Sequence, residues 1–317
     1  MKIDQISKVV VVGAGTMGAG IAQNFAQAGL SVKIVTRHQE TLDKAIVQIE
    51  ANLKLFQEYS LLHETPGAIL SRISPVLAQE LSQAIKDCDF VVETIPEILE
   101  AKRETFAILD ECPPDIVLSS NTGSFTVTEL TEGLKNPNRV VGLHYFNPPH
   151  IIPAVEIHRS RNTTDEAVEI TRGLMLRVGK KPVLVRKEVP GFIVNRLTGA
   201  IEREIDYLLD EGIVTPEDLD TAIKSSIGFR FACLGPMEIE DMIGLDTAMR
   251  VSGRVFKGLS NATGPSPQLV EKVNRGELGI KSGKGWYDYT GKSITEVNDI
   301  NNRKLLQQLA LFNAREK

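Results

Sequence analysis

The sequence predicts an α/β fold in which a doubly wound, mostly parallel sheet is followed by a smaller, all-helical domain. Strand and helix patterns alternate up to about residue 187, which is typical of a parallel sheet covered on both faces. After Pro190 and Gly191 the alternation stops and long helical patterns replace it. A chain of 317 residues is long enough for two domains, which we expect at 1–187 and 188–317.

The first strand leads directly into a glycine-rich turn. Four valines at 9–12 are typical of a buried parallel strand, and a Gly-x-Gly-x-x-Gly turn, a helical pattern and a second strand at 32–35 follow. This order is that of a Rossmann-type dinucleotide-binding unit, whose glycines allow the bend, the approach of a pyrophosphate and close packing of helix and strand. The helix N-terminus favours the phosphates. The residues expected to contact them are Gly13, Gly15, Thr16, Met17 and Gly18.

The remaining elements follow from apolar periodicity. Further short apolar runs predict strands at 90–93, 116–119, 140–143, 154–157 and 182–185. Amphipathic patterns predict helices at 39–59, 98–111, 166–178 and 192–211. Thr215 and Pro216 begin another helix as N-cap and first helical residue. The tail, 292–317, has a weak helical period that we expect to pack on another surface.

Composition narrows the functional classes. A net charge of −5 and a pI of about 5.7 argue against nucleic-acid binding. The three cysteines are widely spaced, which indicates free thiols in a reducing compartment and neither a disulfide framework nor a metal site. No apolar run is long enough to span a membrane, and the N-terminal apolar run is the first strand. We therefore expect a cytoplasmic protein that neither spans a membrane nor binds a metal.

Several segments stand at predicted strand ends, where ligands bind in open α/β sheets. Their motifs are GAGTMGAGIAQ, SNT, GLHYFNPP with a following VEI, PGFIVNR, GLDT and GIKSGKGWY. With these motifs, over about residues 5–290, the chain resembles the L-3-hydroxyacyl-CoA dehydrogenase family. NPPHIIPAVEI and GFRFACLGPMEIED are similar to its branch of gulonate dehydrogenase, lambda-crystallin and carnitine dehydrogenase.

The resemblance implies roles for individual residues. His144 matches the general base that takes the alcohol proton, Glu156 the carboxylate that orients it, and Asn195 the amide that binds the substrate carbonyl. The positions that match cofactor contacts are Glu97, Lys102, Asn121 and Asn147. The implied activity is hydride transfer between a nicotinamide cofactor and a 3-hydroxyacyl substrate, with a place in fatty acid metabolism.

The chain departs from the family pattern at two positions. Most relatives have serine where this chain has Gly123, and Ser124 or Ser120 could replace it after a one-residue shift of the loop. NAD-binding members have Asp at the end of the second strand, where this chain has Thr36 followed by Arg37. Because no carboxylate repels a 2′-phosphate there and Arg37 could pair with it, the residues favour NADP(H), whereas the family favours NAD(H).

The resemblance also leads to expectations about the substrate and the oligomeric state. A 3-hydroxyacyl-CoA such as 3-hydroxybutyryl-CoA is the family's usual substrate. However, relatives that bind CoA have a lysine-rich helical pair where this chain has only Lys44, Lys54 and Arg72 among several carboxylates. A small free hydroxy acid of the gulonate or carnitine type is the alternative, and a cofactor-binding protein with little turnover is the alternative of another class. Since the helical part leaves apolar surface, we expect a homodimer, as in relatives.

Overall fold

A computed structural model describes residues 3–315. Its centre is an eight-stranded sheet with the order β3-β2-β1-β4-β5-β6-β7-β8, in which every neighbouring pair is parallel except β6 and β7. The strands are β1 Lys8–Val12, β2 Ser31–Thr36, β3 Ile73–Leu77, β4 Phe90–Glu93, β5 Val117–Ser120, β6 Val140–Tyr145, β7 Ala154–His158 and β8 Lys181–Val185. This sheet confirms the predicted fold class.

The chain divides into two compact units. The first contains the described residues up to Asn195 together with those from Asn302 onward, and the second spans Arg196–Asn301. The helices that begin before Val194 are α1 Thr16–Gln27, α2 Gln39–Glu58, α3 Pro66–Leu70, α4 Leu81–Ala84, α5 Leu99–Leu109, α6 Val127–Leu130 and α7 Asp165–Arg177. The others are α8 Val194–Asp210, α9 Pro216–Ser225, α10 Ile227–Phe231, α11 Pro236–Ile243, α12 Leu245–Val255, α13 Pro267–Asn274 and α14 Ile294–Arg315.

The core of the first unit lies on both faces of the sheet. Alternate residues of β1 point to opposite faces, as strand geometry requires. Val9 and Val11 belong to a cluster with Phe25 of α1, and Val10 belongs to a second cluster with Phe106 of α5. Each strand in the middle of the sheet is therefore covered on both sides, which is why these strands are apolar without alternation.

The strand β3 and the start of α8 differ from the sequence predictions, and the short helices α3, α4 and α6 were not predicted. The strand β3 was not predicted, because Pro75 interrupts an apolar run in which Ser74 and Pro75 are exposed. Proline lacks the N–H of a ladder hydrogen bond and is tolerated here since β3 lies at the edge of the sheet. The helix predicted from residue 192 begins at Val194, because Phe192 has a left-handed φ of 52°.

The second unit has almost no interior of its own. Of the apolar side chains in Arg196–Asn301, only Leu209 and Val297 are buried. Large apolar side chains of α10, α11 and α12 are instead exposed, including Phe229, Met242 and Met249 at 72%, 74% and 71%. Helices stabilised chiefly by packing of an apolar face are expected to bury such a face somewhere. None of the helices within 3–315 has both the length and the apolar character needed to cross a membrane.

Candidate active site

The site is built around a histidine and a glutamate on neighbouring strands. His144 of β6 and Glu156 of β7 are direct partners in the antiparallel register, so their side chains leave the same face of the sheet. His144 Nδ1 lies 2.8 Å from Glu156 Oε2. Because a carboxylate can only accept, Nδ1 is the donor, and the lone pair of Nε2 is left to accept a proton from a substrate.

Glu156 is held on its other side by the start of α8. Its Oε1 accepts hydrogen bonds of 2.9 Å from the backbone N–H groups of Ile193 and Val194. Burial alone would raise the pKa of this carboxyl, but the hydrogen bonds from His144 and from the two amides hold the pKa below its ordinary value. The Glu156 carboxyl group is therefore ionised over the pH range in which a histidine can act as a base.

Aromatic rings fix the imidazole in place. His144 meets Phe146 edge-on with ring centroids 4.7 Å apart, and the ring of Phe192 lies 5.6 Å away. Phe192 in turn stacks on buried His158 at 3.8 Å. A Cβ on Gly142 would lie 1.9 Å from the His158 ring, so glycine is required there.

Sequence reasoning missed Phe192, His158 and Gly142. Burial, with a smaller effect from His144, lowers the pKa of His158 to about 3, so its ring is neutral. The available signal was the period of two along each strand, which puts Gly142 beside His144 and His158 beside Glu156 on one face.

The loop after β5 is tied to Glu97. Glu97 Oε1 accepts hydrogen bonds from the Thr122 hydroxyl at 2.5 Å, the Gly123 N–H at 3.1 Å and the Ser124 N–H at 3.0 Å. Although burial alone would raise its pKa, the hydrogen bond from Thr122 and the charge of Lys102 lower the pKa of Glu97. Asn121 continues this connection, since its Oδ1 accepts from the backbone N–H of Tyr145 at 2.8 Å.

The two serines considered as substitutes at position 123 are directed elsewhere. Ser124 Oγ donates to Glu97 Oε1 at 2.8 Å, and Ser120 Oγ donates to Glu93 Oε2 at 2.5 Å. Among the hydrogen bonds of residues 3–315, neither hydroxyl reaches His144. The catalytic role predicted for Ser124 has no contact in this structure to support it.

Lys102 is fully buried and bound by carboxylates. Its Nζ lies 2.8 and 3.0 Å from the two oxygens of Glu93 and 3.2 Å from Glu97 Oε2. Burial raises the pKa of Glu93, and the Lys102 ammonium opposes that shift. The sequence assigned Lys102 a cofactor contact, whereas here its ammonium is bound by Glu93, Glu97 and the carbonyl oxygen of Ile95.

The glycine turn has the shape that a dinucleotide needs. Gly13 has a φ of 116°, and a Cβ on Gly18 would lie 1.9 Å from the Gly13 carbonyl oxygen. A Cβ on Gly15 would meet nothing within 4 Å, so this glycine leaves space open at the start of α1. The first and third glycines are required by the protein itself, and the second leaves room for a ligand beside the helix N-terminus, where Thr16 and Met17 begin α1.

The remaining predicted residues lie around this arrangement. Thr36 ends β2, and Arg37 is exposed, making no hydrogen bond or ion pair with any residue in the described part of the chain. Asn147 is exposed and precedes Pro148 through a cis peptide bond. Asn195, at the start of α8, donates from Nδ2 to the Gly123 carbonyl oxygen at 3.2 Å. The structure thus brings His144, Glu156, Asn195 and the loop at Gly123 together.

Buried Lys180 supports the loop that follows β6. Its Nζ donates to the carbonyl oxygens of Pro149 at 2.6 Å and Ile152 at 2.8 Å. Burial lowers the pKa of Lys180 to about 7. Ile151 of the same loop packs with Phe56 of α2 and Leu306 of α14, so the predicted tail helix does pack on another surface.

Comparison with known families identifies both parts of the chain. Residues 8–189 match the NAD binding domain of 3-hydroxyacyl-CoA dehydrogenase, and residues 191–289 match its C-terminal domain. A probable 3-hydroxybutyryl-CoA dehydrogenase of Bacillus subtilis is 35% identical over 292 residues, which cover 91% of this chain and 99% of the relative.

A second relative matches along the whole length. The 5-formyl-3-hydroxy-2-methylpyridine 4-carboxylate 5-dehydrogenase of Mesorhizobium japonicum is 32% identical over 312 residues, covering 98% of this chain and 100% of the relative. A solved structure described as this type of dehydrogenase, an NAD⁺-dependent dismutase, has a TM-score of 0.89 and 31% identity, covering 98% of this chain and 99% of that chain.

Proposed function

This chain belongs to the 3-hydroxyacyl-CoA dehydrogenase family and is a nicotinamide-dependent oxidoreductase, and from that premise we propose that it interconverts a small free hydroxy acid and its carbonyl form. The observation that carries the proposal is the bond between His144 and Glu156 at 2.8 Å, which leaves Nε2 facing the loop at Gly123. A base oriented in this way is what the oxidation of a hydroxyl requires.

His144, Glu156 and Asn195 each have a separate role in the proposed reaction. His144 Nε2 takes the proton of the substrate hydroxyl, and Glu156 stabilises the imidazolium that forms. Asn195 offers its amide to the substrate carbonyl or carboxylate. The nicotinamide cofactor, when bound, accepts the hydride from the carbon that carries the hydroxyl. Residues proposed to hold the cofactor are Gly13, Gly15, Thr16, Met17, Gly18, Glu97, Asn121 and Asn147, with Lys102 acting through Glu97.

Thr36 and Arg37 favour NADP(H) as the cofactor. Neither is a carboxylate, and the exposed Arg37 guanidinium is available to a 2′-phosphate. Glu40, the nearest carboxylate along the chain, pairs with Lys44 at 2.6 Å. The NAD⁺-dependent structural relative favours NAD(H), and titration with both reduced cofactors decides between them.

A free acid is favoured over a CoA thioester by the ion pairs around α2. Each of three cations forms an ion pair with a carboxylate: Lys54 lies 2.7 Å from Glu50, Arg72 2.5 Å from Glu64 and Lys44 2.6 Å from Glu40. The three cations that could meet the phosphates of CoA therefore already have carboxylate partners. The Mesorhizobium relative, which matches 98% of this chain, is named for a pyridine carboxylate.

A 3-hydroxyacyl-CoA is the second candidate, favoured by the Bacillus relative named for 3-hydroxybutyryl-CoA. The test is oxidation of 3-hydroxy compounds offered both as free acids and as CoA thioesters, with NAD⁺ and NADP⁺ in parallel. We expect a higher kcat/KM for a free acid. A clear preference for a thioester contradicts the free-acid proposal and would support a place in fatty acid metabolism. Cofactor binding without turnover of any compound would indicate a binding protein.

We also propose that the second unit forms a homodimer. Its helices expose Phe229, Met237, Met242 and Met249, while only Leu209 and Val297 of its apolar side chains are buried. Exposed apolar surface on this scale is typical of an interface. Light scattering at micromolar concentration should give twice the chain mass of 34.8 kDa, and a monomer would contradict the proposal.

The proposed location is the cytoplasm. Its support is that all three cysteines are free thiols, with Cys88 and Cys112 buried and Cys233 exposed.

A further inference from the structure

The loop at Gly123 leaves a position beside the base without any side chain. A Cβ built on Gly123 would lie 3.4 Å from His144 Nε2 and 3.7 Å from Asn195 Nδ2. These are ordinary or slightly tight van der Waals distances. An atom at this position would touch the two groups proposed to bind the reacting end of the substrate.

Neither backbone conformation nor packing requires glycine at this position. Gly123 is absent from the glycines with positive φ, so another residue could adopt its backbone conformation without strain. At Gly13, Gly18 and Gly142, by contrast, a Cβ would lie only 1.9–2.5 Å from a neighbouring atom. The closest approach at Gly123 is 3.4 Å. The absence of a side chain at 123 therefore leaves room that the fold does not use.

Neighbouring hydroxyl groups do not fill this room. Thr122 and Ser124 donate to Glu97 Oε1, at 2.5 and 2.8 Å, and Ser120 donates to Glu93. All three of these hydroxyl groups therefore donate to carboxylates, and none of them has a hydrogen bond to His144 among residues 3–315.

We propose that Gly123 is a specificity-determining residue that selects hydroxy acids with a branch or a ring next to the reacting carbon. This inference rests on the proposed function. A hydroxyl oxygen bonded to Nε2 lies about 2.8 Å from it, which puts the carbinol carbon itself about 3.5 Å away. The Cβ position at 123 lies 3.4 Å from the same Nε2, so the room is beside the proton-accepting atom and within reach of a carbon bonded to the carbinol carbon.

Matched substrates test the inference directly. The pair is 3-hydroxybutyrate and 2-methyl-3-hydroxybutyrate, each as the free acid and as the CoA thioester, assayed with the wild-type enzyme and Gly123→Ala. We expect Gly123→Ala to lower kcat/KM for the methyl-branched compound by about tenfold or more, since one methyl group in a fitted pocket is worth about 10–200-fold. The unbranched compound should change by less than about threefold.

A control and a second readout make the result decisive. Gly67→Ala is the matched control, since Gly67 also has no positive φ and its Cβ would meet nothing within 4 Å. It should alter neither compound. Fluorescence titration of the reduced-cofactor complex with the two hydroxy acids, a combination in which no hydride can be transferred, measures the same preference without turnover.

Three results would overturn the inference: equal losses for both compounds in Gly123→Ala, no change in the ratio of the two affinities, or no binding of either hydroxy acid to the wild-type complex. If the wild-type enzyme oxidises none of the 3-hydroxy compounds offered to it, the proposed function fails, and the titration still decides the role of Gly123.

Discussion

The two ends of the expected cofactor site are built in opposite ways. At the catalytic end, His144 is 7% exposed and Glu156 is fully buried, and β5, β6, β7 and the start of α8 all contribute contacts. At the end of β2, Thr36 is partly exposed and Arg37 is exposed without a partner among residues 3–315. The residues proposed to catalyse the reaction are thus buried and multiply bonded, whereas the side chains proposed to select the cofactor are solvated.

This difference predicts effects of different size. A charge or hydrogen bond at a buried site interacts in a low effective dielectric, so its removal has large consequences. At an exposed site solvent and salt weaken the same interaction. Substitutions at the catalytic end should therefore change turnover or stability by orders of magnitude, and those at the end of β2 should change cofactor affinity by about tenfold.

The largest expected effect is on turnover in His144→Gln. Removal of a general base lowers the rate by about 10²–10⁴, and we expect this loss in kcat/KM on whichever substrate proves active. Cofactor affinity should be unchanged, since the glycine turn is untouched. His63→Gln is the control, because His63 is exposed in the same unit. Unchanged turnover in His144→Gln would mean that the base is misassigned.

Lys102→Met tests whether buried charges hold the catalytic end. The substitution leaves the Glu93 carboxylate buried without its counter-charge, which typically costs about 3–5 kcal/mol in the free energy of unfolding. The exposed Lys44→Met should cost little. Denaturant unfolding measures both, and equal small losses would contradict a structural role for the Glu93–Lys102 pair.

The same variant has a predicted pH dependence. Burial already raises the pKa of Glu93, and loss of the ammonium raises it further. The folded variant then holds a proton more tightly than the unfolded chain does, so its stability falls as pH rises. The loss should be smaller at pH 5 than at pH 8, and Glu93→Gln added to Lys102→Met should reduce this difference.

Glu156→Gln should have a smaller effect on turnover than His144→Gln. The imidazole remains, but the charge that stabilises its protonated form is gone, and we expect kcat/KM to fall by about 10–100-fold. The acidic limb of the pH–rate profile should move to lower pH, because the neighbouring carboxylate no longer favours protonation in the free enzyme. An unshifted profile would mean that Glu156 acts only by position.

The sequence could predict the features that depend on contacts between residues close in the chain, and it missed most of those that depend on distant residues. The first strand, the glycine turn and α1 were predicted because their signals lie within 20 consecutive residues. The family, confirmed by its two domain matches, led to His144 and Glu156, which the sheet register brings together. The division near residue 188 stays a prediction.

The rest depends on contacts between distant segments. The direction of the Ser124 side chain is set by Glu97, which is 27 positions away in the chain. That of Lys102 is set by Glu93, only nine positions away, but the contact depends on the bend of the chain between β4 and α5. The stack of Phe192 on His158 joins residues 34 positions apart, so no local pattern indicated it. The edge strand β3 was missed since Pro75 resembles a loop signal and the neighbouring Ser74 is polar and exposed.

The smallest expected effect is on cofactor choice, at the exposed end of β2. Thr36→Asp should turn preference towards NAD(H), because a carboxylate repels a 2′-phosphate and accepts hydrogen bonds from ribose hydroxyls.

Arg37→Ala should weaken the affinity for NADP(H) by up to about tenfold, or about 1.4 kcal/mol, with little effect on the affinity for NAD(H). Arg161→Ala, another exposed arginine, is the control. Fluorescence titration with both reduced cofactors, on the wild-type protein and the three variants, measures the eight affinities. The effect of Arg37→Ala should shrink at high salt, as expected for a solvated charge pair. If the wild-type protein binds NAD(H) at least ten times more tightly than NADP(H), the end of β2 does not select the phosphate and the family's usual cofactor applies.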